Sequence, residues 1–261
     1  MSFLSCCSQI IEHLEYIPTI INYNQFVPMA AQQVALILGA GPRVGAAVAA
    51  KFAGAGYKVA VASRKGTGST TDEGYLSLKA DFTKPETVPA LFDATKAAFK
   101  TAPNVVVYNA ASLTAPTDKD SALTIPLSSF EADLNINTVS PYAAAQEAVK
   151  GWESLPAEIK KTFIYTGNGL NTNVLAIPLM LNLGAGKSAS AYWLAVADGT
   201  YAPRGYRFFY ADERNADASF MGNALNGDAH ADFFAQLAKH EGDVPWLATF
   251  VKGKGYVKFE S

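Results

Sequence analysis

The stretch "VALILGAGPRVG" at residues 34–45 runs from apolar residues straight into three glycines and an arginine. The run fits a buried strand, and the glycines fit a tight turn opening a helix. A helix N-terminus offers unpaired N–H groups and a partial positive charge. A pyrophosphate satisfies both, provided no Cβ blocks its approach. Gly39, Gly41 and Gly45, with Arg43 and Val44 among them, are therefore the candidate cradle for a dinucleotide. The next apolar run ends in "VAVASRKG". Where NAD is the coenzyme, an acidic residue commonly holds the adenosine ribose at this point. Here Ser63, Arg64 and Lys65 stand instead. A planar guanidinium makes paired, charge-assisted hydrogen bonds to a 2′-phosphate. Arg43 is expected to reach the same phosphate, and the expected cofactor is NADP(H) rather than NAD(H).

The elements that must position these residues follow from the hydrophobic pattern. Short apolar or β-branched runs occupy 34–38, 58–62, 75–79, 104–108, 162–166 and 206–210. Between them lie alanine-rich segments with helical spacing. Val44, Val48 and Phe52 share one face of a helix stopped by Gly54 and Gly56. Leu91, Ala94 and Phe99 mark a second helix, after Pro85 and Glu86. Residues 127–152 read as a long helix with a kink at Pro141, and 187–197 and 229–240 as two more. Strands too apolar to be half exposed, alternating with helices, predict a parallel sheet covered on both faces. The expected fold class is α/β: a single doubly wound Rossmann-type domain over residues 29–261. Residues 1–28 read as an N-terminal extension, either an accessory helix or a non-native start before Met29.

Composition narrows the function. Net charge is −2 and 17% of residues are charged, so no basic surface advertises nucleic acid or an anionic membrane. No run of about 18 apolar residues is present to span a bilayer. The two cysteines, Cys6 and Cys7, are adjacent, which predicts a reducing, cytoplasmic setting. The three histidines, His13, His230 and His240, show no metal-ligand spacing and offer no natural base for a Ser-His-Asp hydrolase. Asp212, Glu213 and Arg214 read equally as substrate-side groups or a local ion pair. His230 is expected to cap a helix at the surface. Phe208, Phe209, Phe233, Phe234 and Trp246 read as core or subunit contacts.

In this order the landmarks resemble the short-chain dehydrogenase/reductase family over roughly residues 33–258. "LGAGPRVG" resembles its glycine turn, with Arg43 where a middle glycine usually sits. The resemblance implies that Asp81 and Phe82, in "LKADF", flank the adenine. "NAA" at 109–111 resembles the family's NAG segment and implies cofactor contacts at Asn109 and Ala110. Asn137 matches the helix asparagine, and Lys187 in "LGAGKSASAYW" matches the lysine that binds the nicotinamide ribose. The active centre departs from the pattern. Leu183 stands four residues before Lys187, where the family has its catalytic tyrosine, and Asn168 stands where its serine ends the fifth strand. The segments "TGN", "GKSA" and "ADER" resemble a divergent, mostly fungal branch. The resemblance implies an oxidoreductase reducing a small organic carbonyl or imine, with Lys187, Asn137 and Asn168 as catalytic residues. The replacement proton donor is left among Tyr165, Tyr192, the substrate, and a water relayed through Asn137 and Lys187. Strand alternation is expected to send Tyr165 to the face away from the site. The same scaffold could also house a non-redox catalyst or a non-enzymatic NADP(H)-binding protein. The family's habits imply a homodimer or homotetramer.

Overall fold

The computed structural model describes residues 32–259; the N-terminal extension expected over 1–28 lies outside the described residues. Eight strands form one sheet in the order β3-β2-β1-β4-β5-β6-β7-β8. They are β1 (Val34–Leu38), β2 (Lys58–Ser63), β3 (Leu76–Lys79), β4 (Val105–Tyr108), β5 (Lys161–Thr166), β6 (Tyr206–Glu213), β7 (Leu247–Val251) and β8 (Gly255–Tyr256). All pair in parallel except β7 with β8, which form an antiparallel hairpin at one edge. Every residue of β1, β4 and β5 is buried, as the near-continuous apolar runs require of a sheet covered on both sides.

Helices α1 (Val44–Gly54) and α6 (Gly227–Ala238) cover one face, where Ile37, Val107 and Phe209 meet Val48, Phe52 and Phe234. Helices α2 (Val88–Phe99), α3 (Leu127–Leu134), α4 (Ser140–Trp152) and α5 (Leu181–Tyr201) complete the α-helices among the described residues. Leu36, Phe163 and Phe208 of the sheet pack with Phe92 of α2, Trp152 of α4 and Leu194 of α5. Phe208, Phe209, Phe233 and Phe234 are buried and Trp246 packs against the core, as read from the sequence. Among the described residues no helix is long and apolar enough to cross a membrane.

The expected kink at Pro141 takes a definite form. A π turn at Asn135–Val139 separates α3 from α4, and the Ser140 N–H bonds Asn135 rather than the usual i−4 partner, Ile136. Pro141 has no N–H to give to Asn137, its own i−4 partner. Two adjacent carbonyls are thereby released. Tyr108 Oη donates to Ile136 O (2.7 Å), while Tyr165 Oη (2.7 Å) and Ser190 Oγ (2.8 Å) both donate to Asn137 O. A helix defect has become the point where β4, β5 and α5 are fastened together.

His240, half-buried beyond α6, is bridged to Thr162 Oγ1 at 3.0 Å. Burial, and then the cations Lys160 and Arg207, lower its pKa from 6.5 to about 4. The folded state therefore favours the neutral ring, and this contribution is complete above pH 6.5. It is lost as pH falls from 6.5 through 4, because only the unfolded chain takes up the proton there. Allowing for partial exposure, the loss is about 2 kcal/mol. Urea unfolding at pH 4 to 7 should show the slope in wild type and a flatter profile in His240→Asn, since asparagine tolerates the residue's φ of 55°.

Candidate active site

The sheet order reverses between β1 and β4, so their carboxyl ends part and leave a crevice, the usual ligand site of such sheets. The glycine turn fills one side of it. Gly39 has φ +99° and a Cβ there would lie 2.3 Å from Ala110 N; at Gly45 it would lie 2.7 Å from Gly39 O. These two glycines let β1, the turn and α1 pack closely. Gly41 differs, because a Cβ on it would meet nothing within 4 Å, and it lines the cleft. Its bareness serves no packing contact and leaves space for a ligand, while its own N–H and O are spent on Gly39 O and Ala46 N (both 2.9 Å). No side chain caps the start of α1; Ala46 N–H donates to Gly41 O (2.9 Å) and Ala47 N–H to Arg43 O (3.2 Å), which leaves the N–H groups of Val44 and Gly45 on offer. Asn109 closes the far side: its N–H donates to Leu38 O (2.7 Å) and its Nδ2 to Gly39 O (2.8 Å).

The cleft has a volume of about 490 Å³ and brings Gly41, Arg43, Val44, Asn109, Asn168 and Lys187 together. Leu183 also lines it, one turn before Lys187 on α5. Much of the remaining wall is apolar, with Leu113, Leu170, Leu175, Met180, Phe220 and Leu225. The Oγ1 of Thr166, Oδ1 of Asp212 and Oε1 of Glu213 are buried without a hydrogen-bond partner, and all three residues line the cleft. Buried polar atoms left open on a cleft wall fit a polar ligand there.

The remaining candidates sit at the ends of neighbouring strands. Ser63 ends β2, and the turn after it is closed by Gly66 N–H on Ser63 O (3.1 Å). A Cβ at Gly66 would lie 1.8 Å from Leu78 O, so this turn needs glycine and presents Arg64 and Lys65 to solvent. Asp81 is exposed and held by Thr83, whose hydroxyl and N–H lower its pKa. Phe82 is buried against Tyr108 (5.4 Å between centroids). Arg43 departs from expectation: its Nη1 donates to Asn223 O (2.7 Å), tying the glycine turn to the 222–224 turn instead of standing with Arg64.

Asn137 is fully buried, and its side chain brackets Ser112, accepting from its N–H (3.0 Å) and donating to its O (2.8 Å). A Cβ on Gly186 would lie 2.5 Å from Asn137 Cβ, so α5 packs directly on this residue. Asp133, not singled out from the sequence, extends the bracket. It accepts from Ser112 Oγ (2.5 Å), Thr114 N (2.8 Å) and Asn182 Nδ2 (2.9 Å). Asp133, Asn137 and Pro141 stand four residues apart, and that helical spacing was the available signal. Asn168 Oδ1 accepts from Leu170 N (3.1 Å), which leaves its NH2 end to donate.

Three expectations are corrected. Tyr165 lies on the Lys187 side of the sheet, with Lys187 Nζ 4.3 Å from its ring centroid; the lysine side chain reaches across the strand end to the buried ring. The relay of a water through Asn137 is not supported: its carbonyl is taken by the hydroxyls of Tyr165 and Ser190, and its side chain by Ser112. His230 is fully buried and caps nothing: Asn226 Oδ1 caps α6 through Ala229 N, while His230 Nδ1 lies 2.7 Å from Asn226 O and 3.3 Å from Glu213 Oε2. Phe234 and Phe250 meet it edge-on and explain its burial. Tyr192 points away from the cleft, as helix geometry required, and is 77% exposed.

Burial governs the charges. Lys187 is 4% exposed, Nζ donates to Thr166 O (2.7 Å), and burial lowers its pKa to about 7 against the opposing pull of Asp212. Asp212 is pushed up to about 6 by burial although Arg214 Nε donates to its Oδ2 at 2.6 Å. The sequence left substrate-side group and ion pair open for this trio; Asp212 pairs with Arg214 and also lines the cleft.

A glycine turn and an amine-bearing helix meeting at the switch point of a parallel sheet define a Rossmann-type protein. Comparison with known proteins narrows this. A family model described as Enoyl-(Acyl carrier protein) reductase matches residues 39–167. The chain is 40% identical over 236 residues to the short chain dehydrogenase/reductase dmxR12 of Cryptosporiopsis sp. (strain 8999), spanning 87% of this chain and 94% of that one. It therefore belongs to the short-chain dehydrogenase/reductase family. Solved structures share the fold. A short chain dehydrogenase from Burkholderia cenocepacia J2315 in complex with NADP superposes with TM-score 0.67 at 22% identity, covering 85% of this chain and 97% of that chain. A 3-ketoacyl-(acyl-carrier-protein) reductase from Brucella melitensis complexed with NADH gives 0.69 at 18% identity, with 85% and 97% covered.

Proposed function

We propose that this chain is an NADP(H)-dependent reductase of a small organic carbonyl or imine, working from an altered catalytic centre. The observation that carries the reading is the pairing of an open glycine cradle at Gly41 with a cationic, acid-free turn after β2. Gly39, Gly41, Val44 and Gly45 hold the pyrophosphate over α1. Ser63 and Arg64 hold the 2′-phosphate, Asp81 and Phe82 bound the adenine, and Asn109, Ala110 and Lys187 hold the nicotinamide half. The reduced nicotinamide supplies hydride. Asn168 donates its amide N–H to the substrate oxygen as charge develops there. The apolar wall around Leu170, Leu183 and Phe220 excludes water. Asn137 acts by structure: it fixes the β4 loop and the seat of α5 rather than touching the reacting atoms.

Exposed Tyr142, Tyr192 and Val196, on helices joined by the edge-on contact of Tyr142 with Trp193, support assembly as a homodimer or homotetramer, in keeping with a cytoplasmic enzyme. Leu183 in the cleft favours a second reading, in which the protein binds NADP(H) without turnover or serves non-redox chemistry. A carbonyl and imine panel with NADPH, followed by nicotinamide absorbance, separates the two. The reductase oxidises NADPH with at least one panel member; tight binding with no oxidation on the whole panel favours the second reading.

A further inference from the structure

Resting on the reductase reading, we infer that Lys187 itself delivers the proton to the substrate oxygen, and that Asp212 is the positioning residue that keeps its Nζ charged.

The inference begins with what the other hydroxyls are doing. Tyr108, Tyr165 and Tyr210 are register partners on β4, β5 and β6 and stack as a ladder, with centroids 5.9 and 5.5 Å apart. Each hydroxyl donates to a backbone carbonyl: Tyr108 to Ile136, Tyr165 to Asn137, and Tyr210 to Asn168 (2.8 Å), whose own N–H it accepts. Burial raises the pKa of all three. They form a floor, not a proton source. Leu183 has no proton to give. The ionisable groups lining the cleft are then Arg43, Lys187, Asp212 and Glu213. Arg43 is tied to the 222–224 turn through Nη1 on Asn223 O (2.7 Å). Glu213 Oε2 accepts from Asn226 N (2.8 Å) and belongs to the α6 cap, and Asp212 is held as a carboxylate by Arg214, whose Nε donates to its Oδ2 at 2.6 Å.

Lys187 remains. Among the described residues its one hydrogen bond goes to Thr166 O, and an ammonium has three N–H bonds. A general acid works best with a pKa near the operating pH, which is where burial places this one. In the step, hydride forms the new C–H bond at the substrate carbon and the C=O π pair moves onto oxygen. The oxygen takes a proton from Nζ, whose N–H pair stays on nitrogen as the amine lone pair. Solvent entering the emptied cleft recharges the amine, so one proton is consumed per hydride. For an iminium substrate the carbon simply accepts hydride, and no proton is drawn.

Ionisable groups lie on most of the elements packed against α5. They are Glu131 and Asp133 on α3, Tyr142, Glu147 and Lys150 on α4, Arg204 in the turn after α5, Tyr206, Arg207, Tyr210, Asp212 and Glu213 on β6, Arg214 just past the end of β6, and Tyr165 of β5 beneath Nζ. Glu147 and Lys150 pair with each other, 3.6 Å apart. Asp133 is saturated by Ser112, Thr114 and Asn182. Asp212 is the partner whose charge raises the Lys187 pKa, and Arg214 holds its carboxylate in place.

The test uses the full chain labelled with 13Cε-lysine, with the Lys187 signal assigned from Lys187→Arg. The expected result is titration near 7 rather than at the ordinary 10.5, and lower still in Asp212→Asn. For a carbonyl substrate the falling limb of the kcat profile lies at the same pH as the wild-type titration and moves down with Asp212→Asn. Lys187→Arg, which keeps a cation but cannot release a proton, still binds NADPH while kcat falls by about 10²-fold or more. Titration of Lys187 near its ordinary value, or turnover retained in Lys187→Arg, overturns the inference and leaves the reductase reading standing. NADPH bound without turnover on the whole panel overturns both.

Discussion

Lys187→Met lowers kcat for carbonyl reduction by about 10²- to 10⁴-fold, the range lost with a positioned general acid. That is about 3–6 kcal/mol of barrier at 1.36 kcal/mol per decade. Methionine fills much of the same buried volume, so the fold survives while the N–H donors vanish. The hydrogen bond to Thr166 O is in the structure; holding the nicotinamide ribose and giving the proton to the substrate are two further tasks proposed for the same nitrogen. Leu183→Tyr separates them. Leu183 lines the cleft one turn from Lys187, so a tyrosine there presents a hydroxyl to the same space. It should raise wild-type turnover and, more tellingly, rescue much of the activity lost in Lys187→Arg, because the arginine then has only to bind and polarise. Such a rescue is a non-additive pair in a double-mutant cycle. Strict additivity, with NADPH affinity intact in all four proteins, would show that the two side chains serve different events.

The second large effect falls on the cofactor. Arg64→Ala weakens NADPH binding by about 10- to 100-fold, the value of a charge-assisted hydrogen bond of about 1.5–3 kcal/mol, and leaves NADH binding unchanged. Only the 2′-phosphate distinguishes the two ligands, and the proposed site for it is the exposed turn Ser63–Gly66. Ser63→Asp goes further: a carboxylate at the end of β2 accepts from the ribose hydroxyls of NADH and repels the 2′-phosphate. The preference between the coenzymes should invert. Because Arg64 is exposed, its effect shrinks as salt rises.

Much of this architecture was legible in the residue pattern, for identifiable reasons. The run "VALIL" could only be a strand buried on both faces, and it matches β1 residue for residue. The glycines announced the turn, although not that Gly39 and Gly45 serve packing while Gly41 alone is open. The end of β6 was read three residues short, because "DER" has the charges of a loop. It extends because Asp212 and Arg214 pair with each other and Glu213 is taken up by Asn226. The start of α5 at Leu181 was missed too: Gly184 and Gly186 look like helix breakers, but Gly186 makes room for Asn137. His230 was misjudged because neighbouring aspartates suggest solvent, and only tertiary packing puts Phe234 and Phe250 around it. Tyr165 was misplaced because alternation was counted from Thr166 as the site-facing residue, whereas Lys187 of α5 lies over the Tyr165 ring. Pro141 gave the kink but not its use, since the released carbonyls of Ile136 and Asn137 find partners more than 25 residues away in the chain.

All of the chemistry presupposes a phosphorylated dinucleotide held between the turn at Gly41 and the cations after β2. Isothermal titration of the intact chain with NADPH and with NADH, at one fixed low salt concentration, examines that most directly. The account predicts heat with both and a dissociation constant at least about tenfold lower for NADPH, matching one charge-assisted contact. Equal constants, tighter NADH, or no heat with either coenzyme would contradict it.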